Sequence, residues 1–568
     1  AEVTVRGTYG ISQLPNMDKD MMNARQYMDF RAIYNPNIVN DPTYQQQLAR
    51  LNKYGLSMDW QDYVMNNNAP TYTVDASISG SSEKTNYYIS AGHFDQEGTS
   101  FQSYLKRHNV RMNLNSKVND WLRVGMNAYM SHQDYSTTLG SSASDGSLAI
   151  YSPLVMARMG SPMDFPYEII ENGDGTWSRG EETMTTSFGL SNPILIFRNS
   201  RDRYEQTRGN MMAFEELTPV KGLTLRAQQA YEGFIVKYRS ESDPWENNEY
   251  NGSLGEQFQR GSQWTFTNTA EYKHSFNKQH NLTLLAGQES ILYGMDYFNV
   301  SGKGIKDIRL YQIANLTPSS LSADGGREEY VFNSYFFRGE YNFDEKYYIE
   351  GSYRRDGSSR FSPDNRWANF YAFGAMWDMK KEAWLQDVDW MNDLRLKVTY
   401  GTTGNSEIGN YAYLGIIAAD SKYNYNGQSG WAVGTVGNND LTWETQKNLT
   451  AGFSTQLFDR LSLSFDYYRK TTVDMLMEVP MSYTTGHSLV MANVGSLRNQ
   501  GFEASFGVDI FNNNRIKWNV YGNVAYNKTI ITKLYNGIDE LTMADYGMKW
   551  QVGHDPNELY NVKFAGVD

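Results

Sequence analysis

The connections between the extended segments of this chain alternate in length, and this alternation constrains the fold more than any other feature. Segments with a two-residue period occur in pairs joined by tight polar turns, and long loops rich in aromatic residues and Asn lead to the next pair. The tight joins are Gly80–Lys84, Asn115–Asp120, Thr218–Gly222, Asn277–Gln279, Asp344–Lys346, Phe458–Arg460 and Phe511–Asn514. The long joins are roughly Ile11–Pro70, Tyr135–Arg208, Ser240–Ser262, Ile291–Tyr330, Thr403–Trp443 and Met477–Asn499. Short turns on one rim and long loops on the other are typical of an all-β, transmembrane, antiparallel up-and-down β-barrel in an outer membrane, with its long loops facing outside. We therefore expect the long loops to carry the function.

The extended segments separate apolar from polar residues with the period of a β-strand. In Leu461–Tyr468 one face carries Leu461, Leu463 and Phe465, whereas Ser462 and Ser464 lie on the other. The same alternation occurs in Ile516–Asn527, Phe502–Ile510, Leu394–Tyr400, Leu122–Met130 and Val110–Leu114. A soluble sheet with one face on a core would also alternate. However, the polar face is charged on strand after strand, as in a wet lumen, and aromatic residues cluster near strand ends. We therefore predict that the apolar face meets lipid and the polar face lines the bore.

The composition excludes several other classes of protein. The mean hydropathy is −0.61, and no apolar run approaches the roughly 18 residues that a membrane helix needs. The net charge of −13 argues against nucleic acid as a partner. Aromatic residues make up 14% of the chain, which suits interfacial girdles and ligand-binding loops. The absence of cysteine suits passage through an oxidising compartment.

The strand count predicts that the 568 residues are part of a longer protein. Counting up and down gives about 17–18 strands, the last near Tyr560–Val567, whereas a closed single-chain bacterial barrel normally has an even number. Open sheet edges cannot face lipid, so we expect further strands outside these residues. Residues 1–568 are accordingly interpreted as one partial barrel.

Five segments resemble the SusC/RagA family, the TonB-dependent outer-membrane transporters of Bacteroidetes. They are Tyr87–Gly98 (YYISAGHFDQEG), Arg354–Phe361 (RRDGSSRF), Leu394–Gly409 (LRLKVTYGTTGNSEIG), Leu441–Leu449 (LTWETQKNL) and Asn493–Glu503 (NVGSLRNQGFE). They occur in the order of the family and cover nearly the whole chain, with Ala1–Gly10 similar to its first barrel strand. The chain is thereby identified as a member of this family.

This resemblance implies a 22-stranded barrel whose lumen is plugged by an N-terminal domain. It further implies active import of glycan oligomers or peptides, energised by TonB and gated by a SusD-like surface lipoprotein. A dimer of transporter–lipoprotein pairs would be compatible with it. The plug, the TonB-contacting segment and the last strands are absent from these residues. The expected location is the cell outer membrane, and no enzymatic activity or cofactor is implied.

Aromatic residues in the long loops are the candidate contacts for substrate or for the lipoprotein, because rings stack on sugars and neighbouring amides bind hydroxyl groups. These candidates are Trp60, Trp177, Trp245, Tyr250, Tyr423, Tyr425 and Trp431. The same rings could instead pack the loops against one another. Two helices are predicted in the first long loop, at Met17–Ile33 and Pro42–Tyr54, the second starting with Pro after Asp41. Such helices would provide local packing or a docking platform.

Charged residues of the Arg354–Phe361 segment lie where a strand meets a loop. For Arg354, Asp356 and Arg360 the sequence favours a salt-bridged turn over a substrate contact. Thr403-Gly404-Asn405 is likewise interpreted as a turn. The seven histidines form no H-E-x-x-H pair and Asn172–Gly175 lacks the ligand spacing of a calcium loop, so neither a catalytic nor a metal site is predicted. A passive porin, an adhesion barrel and a barrel enzyme remain the alternatives to an importer.

Overall fold

A computed structural model of the protein describes residues 1–14, 21–137, 157–158, 160–183, 192, 194–195, 198, 200–242, 251–426, 428–513, 515–543, 548–560 and 566. Within these residues the chain forms 23 β-strands, of which 17 belong to one sheet. Each strand of this sheet pairs antiparallel with the preceding and the following strand of the sheet in chain order, except that β1 pairs only with β2 and β21 only with β20 in the described residues. The pairing confirms the predicted up-and-down meander. The further strand predicted near Tyr560–Val567 lies largely outside the described residues, which there comprise Tyr560 and Gly566.

The seventeen strands of the large sheet differ greatly in length. They are β1 Glu2–Ser12, β2 Ala69–Ser81, β3 Thr85–Glu97, β4 Tyr104–Lys117, β5 Leu122–Thr137, β8 Arg201–Val220, β9 Leu223–Ser242, β10 Gly252–Phe276, β11 His280–Ile305, β12 Ser322–Phe343, β13 Tyr347–Ser358, β14 Trp367–Asp378, β15 Met391–Asn405, β18 Glu444–Leu457, β19 Leu461–Pro480, β20 Leu489–Asn512 and β21 Lys517–Lys533. Strands β10 and β11 have 25 and 26 residues. That is more than twice the about 9–11 residues that a tilted strand needs to cross a bilayer.

Connections at the two rims differ in length, as predicted. Those at one rim are residues 82–84, 118–121, 221–222, 277–279, 344–346, 379–390, 458–460 and 513–516. Those at the other are 13–68, 98–103, 138–200, 243–251, 306–321, 359–366, 406–443 and 481–488. Two connections depart from the rule, since 379–390 is long for the turn rim and 98–103 is short for the loop rim.

Three predicted loops were too long because the strands continue into them. Of the loop predicted at Ser240–Ser262 only residues 243–251 lie between strands, and of Ile291–Tyr330 only 306–321. Met477–Asn499 is reduced in the same way to 481–488. Backbone pairing thus extends well past the membrane, and part of the region expected to be loop is a stiff extension of the wall.

The register divides the sheet into the two predicted faces. Leu463 lies opposite Phe506 and Phe465 opposite Ala504, so apolar side chains align from strand to strand. On this face Val5 is 71% exposed and Phe373 is 62% exposed, which is the arrangement that lipid requires. Aromatic rings mark its margin at the turn rim, where Tyr347 stacks on Trp377 at 6.2 Å between ring centroids.

The polar face carries ion pairs that reach across an intervening strand. Lys397 Nζ on β15 lies 2.9 Å from Asp466 on β19, over β18. Arg354 on β13 likewise lies 3.2 Å from Glu289 on β11, over β12. Side chains converge on the concave side of a curved sheet, so these contacts indicate that the polar face is the inner one.

A glycine permits one of these bridges to form. Gly452 lies in register between Lys397 and Asp466, and a Cβ at this position would overlap Asp466 and the carbonyl of Phe465. We expect Gly452→Ala to lower the free energy of unfolding by about 1–3 kcal/mol, because the added methyl group overpacks the wall. Gly339→Ala is the matched control, since its Cβ would lie 3.5 Å from Leu284. Equal midpoints of denaturant unfolding for the two variants would contradict this explanation.

The remaining elements lie in the connections. Four helices have both of their ends within the described residues: α1 Ala24–Tyr34, α2 Pro42–Tyr54, α3 Trp60–Val64 and α4 Ala383–Gln386. The small strands form three hairpins: β6 Tyr167–Glu171 with β7 Trp177–Glu182, β16 Ile416–Tyr425 with β17 Gln428–Thr435, and β22 Glu540–Met543 with β23 Met548–Gln551. Short 3-10 helices occur at Pro36–Asn40, Ile313–Asn315, Pro318–Ser320, Met379–Lys381, Tyr483–Thr485 and Tyr535–Gly537. None of the described helices is long and apolar enough to span a bilayer.

Helix α2 has the predicted bounds, and its ends explain them. The Asp41 side chain accepts hydrogen bonds from the backbone N–H groups of Thr43 and Tyr44, and Gly55 ends the helix with φ of 64°. Helix α1 begins later than predicted, at Ala24, where Asn23 forms a capping box with Gln26. Residues 17–20 of the predicted helix lie outside the described residues.

Candidate functional site

The first long loop and the connection 138–200 together form a compact apolar cluster that includes a predicted contact residue. Trp60 is 3% exposed, and its Nε1–H donates to the carbonyl of Ser161 at 2.9 Å. It packs with Leu56, Val64 and Phe165. Of the alternatives for this ring, the structure therefore supports packing between loops rather than an open contact surface.

Trp177, another predicted contact, packs partly buried against the same cluster from strand β7. Beside it, Glu182 accepts a hydrogen bond from the Tyr63 hydroxyl at 2.9 Å, and Arg179 and Arg198 contact its two carboxylate oxygens. Burial, followed by the bond to Glu182, raises the pKa of Tyr63 to about 12. These polar contacts fix the β6–β7 hairpin on the helical part of the first loop.

A hairpin in the connection 406–443 carries the most exposed predicted contacts. Tyr425 is 86% exposed at the end of β16, and Trp431 is 71% exposed on β17. Ile417 lies opposite Val433, two residues along from Trp431, so the three apolar side chains share one face of the hairpin. Tyr423 belongs to β16, but its side chain is not among those that the structure describes. Trp245 and Tyr250 lie outside the described residues.

The segments that carry the family resemblance meet in one apolar cluster where strands pass into loops. Phe361 is completely buried there and packs with Phe370, Ile408, Leu441 and Trp443. The indole N–H of Trp443 donates to the carbonyl of Arg366 at 3.0 Å. Residues from three separate motifs thus form one small core, which we call the loop-base cluster.

Polar residues of the same motifs tie the loop-base cluster to its neighbours. The Asn493 side chain accepts from the Thr442 N–H and donates to the Thr442 and Asp474 carbonyls, each at 2.8 Å. The Arg360 guanidinium donates to Asn410 at 2.9 Å and lies 4.4 Å from the centre of the Tyr330 ring. Asn493 thus satisfies backbone groups of Thr442 and Asp474, whereas Arg360 is held by a side-chain amide and an aromatic ring.

The charged residues of the Arg354–Phe361 segment have structural partners, as the sequence favoured, but the predicted turn is wrong because Arg354 and Asp356 lie within strand β13. Thr403-Gly404-Asn405, also predicted as a turn, forms the end of strand β15. Arg354 Nε donates to Asp356 at 2.6 Å, and its guanidinium also reaches Glu289 on the inner wall. The side chain of Arg360 is 11% exposed. Arg354 therefore joins strands of the wall, whereas Arg360 joins the wall to the connection 406–443.

Tyrosines on the inner face near the loop rim were not among the predicted contacts. Tyr135, Tyr204 and Tyr238 stack across β5, β8 and β9, with ring centroids 4.8 and 4.5 Å apart. Tyr293 and Tyr330 stack at 4.7 Å on β11 and β12. All five follow the parity of the polar positions, so extending the alternation to the strand ends would have found them. They give the mouth of the bore an aromatic, hydroxyl-bearing lining.

The family comparison matches this architecture. The family model described as "TonB dependent receptor-like, beta-barrel" matches residues 165–557, more than half of the chain. This family consists of outer-membrane receptors and transporters, not enzymes, which confirms the predicted location and the absence of an enzymatic assignment.

Individual proteins with similar sequences or structures agree with the family match. The chain is 26% identical over 499 residues to TonB-dependent receptor P39 of Formosa agariphila, covering 87% of this chain and 46% of that protein. It is 25% identical to TonB-dependent receptor SusC of Bacteroides thetaiotaomicron, covering 89% of this chain and 51% of that protein. The solved structure of the RagAB peptide transporter superimposes with a TM-score of 0.83 and 31% identity, covering all of this chain and 65% of that one. The chain thus spans about half the length of the curated relatives that it matches. It belongs to the TonB-dependent receptor-like β-barrel family, as a relative of SusC and RagA.

Proposed function

We propose that this chain is the barrel part of a longer outer-membrane importer that takes up oligomers, either glycans or peptides. TonB supplies the energy through segments outside these residues, and a SusD-like surface lipoprotein closes the outer mouth. The resemblance to SusC and to the RagAB peptide transporter supports this proposal. The two relatives leave the choice between glycan and peptide open.

The observation that carries the proposal is the pairing of a polar inner wall with an apolar surface held above it. Ion pairs such as Lys397–Asp466 line the bore, whereas Trp431 and Ile417 project from the β16–β17 hairpin in a loop of the outer rim. A passive pore needs only the first feature. Exposed apolar rings that gain from being covered favour a partner or a bulky cargo at the mouth.

In the proposed cycle, cargo is held between the loops and the lipoprotein, which then seals the mouth. TonB pulls on the plug and the cargo moves inward past the tyrosine-lined entrance. The polar wall keeps this route hydrated throughout. A passive porin is the second candidate, and it predicts uptake that does not depend on TonB.

Removal of the exposed rings tests the proposal. We expect Tyr425→Ala combined with Trp431→Ala, in the full-length protein, to weaken uptake of labelled oligomer or retention of the lipoprotein at least ten-fold. A well-placed aromatic contact contributes about 2 kcal/mol or more to binding. Trp384→Ala is the matched control, because this ring is 62% exposed on α4 at the opposite rim.

Oligomer uptake in cells and co-purification of the lipoprotein separate the two roles of these rings. Loss of both indicates a contact with the lipoprotein, whereas loss of uptake alone indicates a contact with cargo. A double variant that behaves like Trp384→Ala in both measurements would show that the hairpin binds neither the lipoprotein nor the cargo. Undiminished uptake in cells that lack TonB would favour the passive porin.

A further inference from the structure

We propose that His93 and His108 form a binding site for a divalent transition-metal ion of the zinc or copper class, on the outer surface of the barrel. The two residues lie directly opposite each other on β3 and β4. Three of the seven histidines belong to this row, because His132 on β5 lies opposite His108. The site is independent of the proposed import function.

The Nδ1 atoms of the two imidazoles are close enough for both to bind one metal ion. Their Nδ1 atoms are 3.3 Å apart, and the rings stack with centroids 4.6 Å apart and an interplanar angle of 28°. An ion about 2.1 Å from both nitrogens would subtend an angle of about 105° between them. This value is close to the tetrahedral angle, so the distance between the nitrogens suits two-point binding once the stacked rings rotate to aim both Nδ1 lone pairs at the ion.

The surroundings of the pair suit an ion reached from outside. His93 is half-buried and His108 is exposed, on the face that contacts lipid lower down. In the next row towards the loop rim, Asp95 and Lys106 face each other at 3.6 Å and largely cancel in charge. In the row on the other side, Ala91 lies opposite Val110, which leaves the rings backed by small apolar groups. The pair therefore lies where the outer wall changes from apolar to charged.

Two histidine ligands leave further coordination positions on the ion unfilled by the protein. The described residues contain no group of three or more potential metal ligands in place, and His132 Nδ1 is engaged with the Thr207 hydroxyl at 3.0 Å. The remaining positions on the ion would be filled by water or by a group from outside. The bound ion would join two neighbouring strands just below the short 98–103 connection.

Without a metal ion, the same geometry is a single hydrogen bond in which one Nδ1–H donates to the other Nδ1. Both states require that one ring present an Nδ1 lone pair to its neighbour. Only the metal site requires both lone pairs, with each proton on Nε2. An added ion would therefore bind two nitrogen atoms if the pair is a metal site, but at most one if the pair keeps its hydrogen bond.

The test uses the full-length protein in detergent, purified without a histidine tag. Competition of Zn²⁺ with a chromophoric chelator should show one site that weakens about 100-fold or more in His93→Gln or His108→Gln, since loss of even an outer-shell partner costs 10–100-fold. Electron paramagnetic resonance of bound Cu²⁺ should show two nitrogen ligands in the wild type. His274→Gln is the control, because this exposed imidazole contacts Tyr272 and Phe276 on the same outer face.

Each outcome decides for or against the site. Selective weakening in the two variants, with His274→Gln unchanged, supports it. Equal Zn²⁺ affinity in all variants, or one nitrogen ligand to Cu²⁺, means that the pair is only hydrogen-bonded and overturns the proposal. Heat-modified gel mobility verifies that each variant is folded, so that weakened binding cannot be mistaken for a misassembled barrel.

Discussion

Arginine at Phe465 is expected to destabilise the barrel by about 2–4 kcal/mol, the cost measured for such charges near the middle of a bilayer. Phe465 projects from the apolar face and stacks on Phe453 and Phe502 at 6.1 and 6.0 Å. Leu463 lies two residues nearer the turn rim, so the same change there should cost less. Unfolding by urea in lipid vesicles, followed by heat-modified gel mobility, measures both.

Ser462→Arg and Ser464→Arg provide the controls on the same strand. These serines alternate with Leu463 and Phe465, and the Ser464 hydroxyl lies 2.6 Å from that of Ser505 on the polar face. An arginine there points into the bore, and we expect a loss of less than about 1 kcal/mol, as at other sites in contact with water. Equal losses at the serines and at the apolar positions would reverse the assignment of the two faces.

Removal of Phe361 is expected to have the second large effect. Phe361→Ala deletes a completely buried ring from the loop-base cluster, and such deletions cost about 3–5 kcal/mol. The ring centroid is 5.4 Å from that of Trp443, which also anchors the start of β18. We expect connections 359–366 and 406–443 to become open to protease while the membrane-embedded wall stays folded.

Trp431→Ala is the control for this experiment, because it removes a large ring from the connection 406–443 without opening a buried core. Its ring is 71% exposed, so the free energy of unfolding should change little. Limited proteolysis with mass spectrometry locates the cleavage sites, and hydrogen exchange reports whether the wall is affected. A Phe361→Ala protein as protease-resistant as Trp431→Ala would show that the loop-base cluster does not hold these connections.

The wall of the barrel was predictable from sequence because its signal is local. A strand with one face in lipid and one in water must alternate, so Leu463 and Ser464 reveal their faces without reference to any distant residue. Tight turns also have local signatures, and the start of the helix Pro42–Tyr54 could be placed by its Pro after Asp41. For these elements the physical cause lies within a few residues.

The ends of the strands and the packing of the loops were not predictable in this way. Beyond the membrane both faces of a strand can meet water, so β10 and β11 lose the apolar alternation although their backbones stay paired. Trp60 looked like an exposed loop ring, but its carbonyl partner Ser161 is 101 residues away. Likewise, His93 and His108 are 15 residues apart, and only the register places them side by side.

The extension of β10, β11, β12 and β20 beyond the membrane has a consequence for how such a protein can change over time. A continuous ladder of hydrogen bonds fixes the spacing between these strands where they extend outward. In the proposed importer, new cargo is then accommodated by exchanging side chains at set points and by altering the short segments between them. Adaptation at this surface should therefore proceed by substitution on a constant scaffold, with insertions confined to the few gaps between strands.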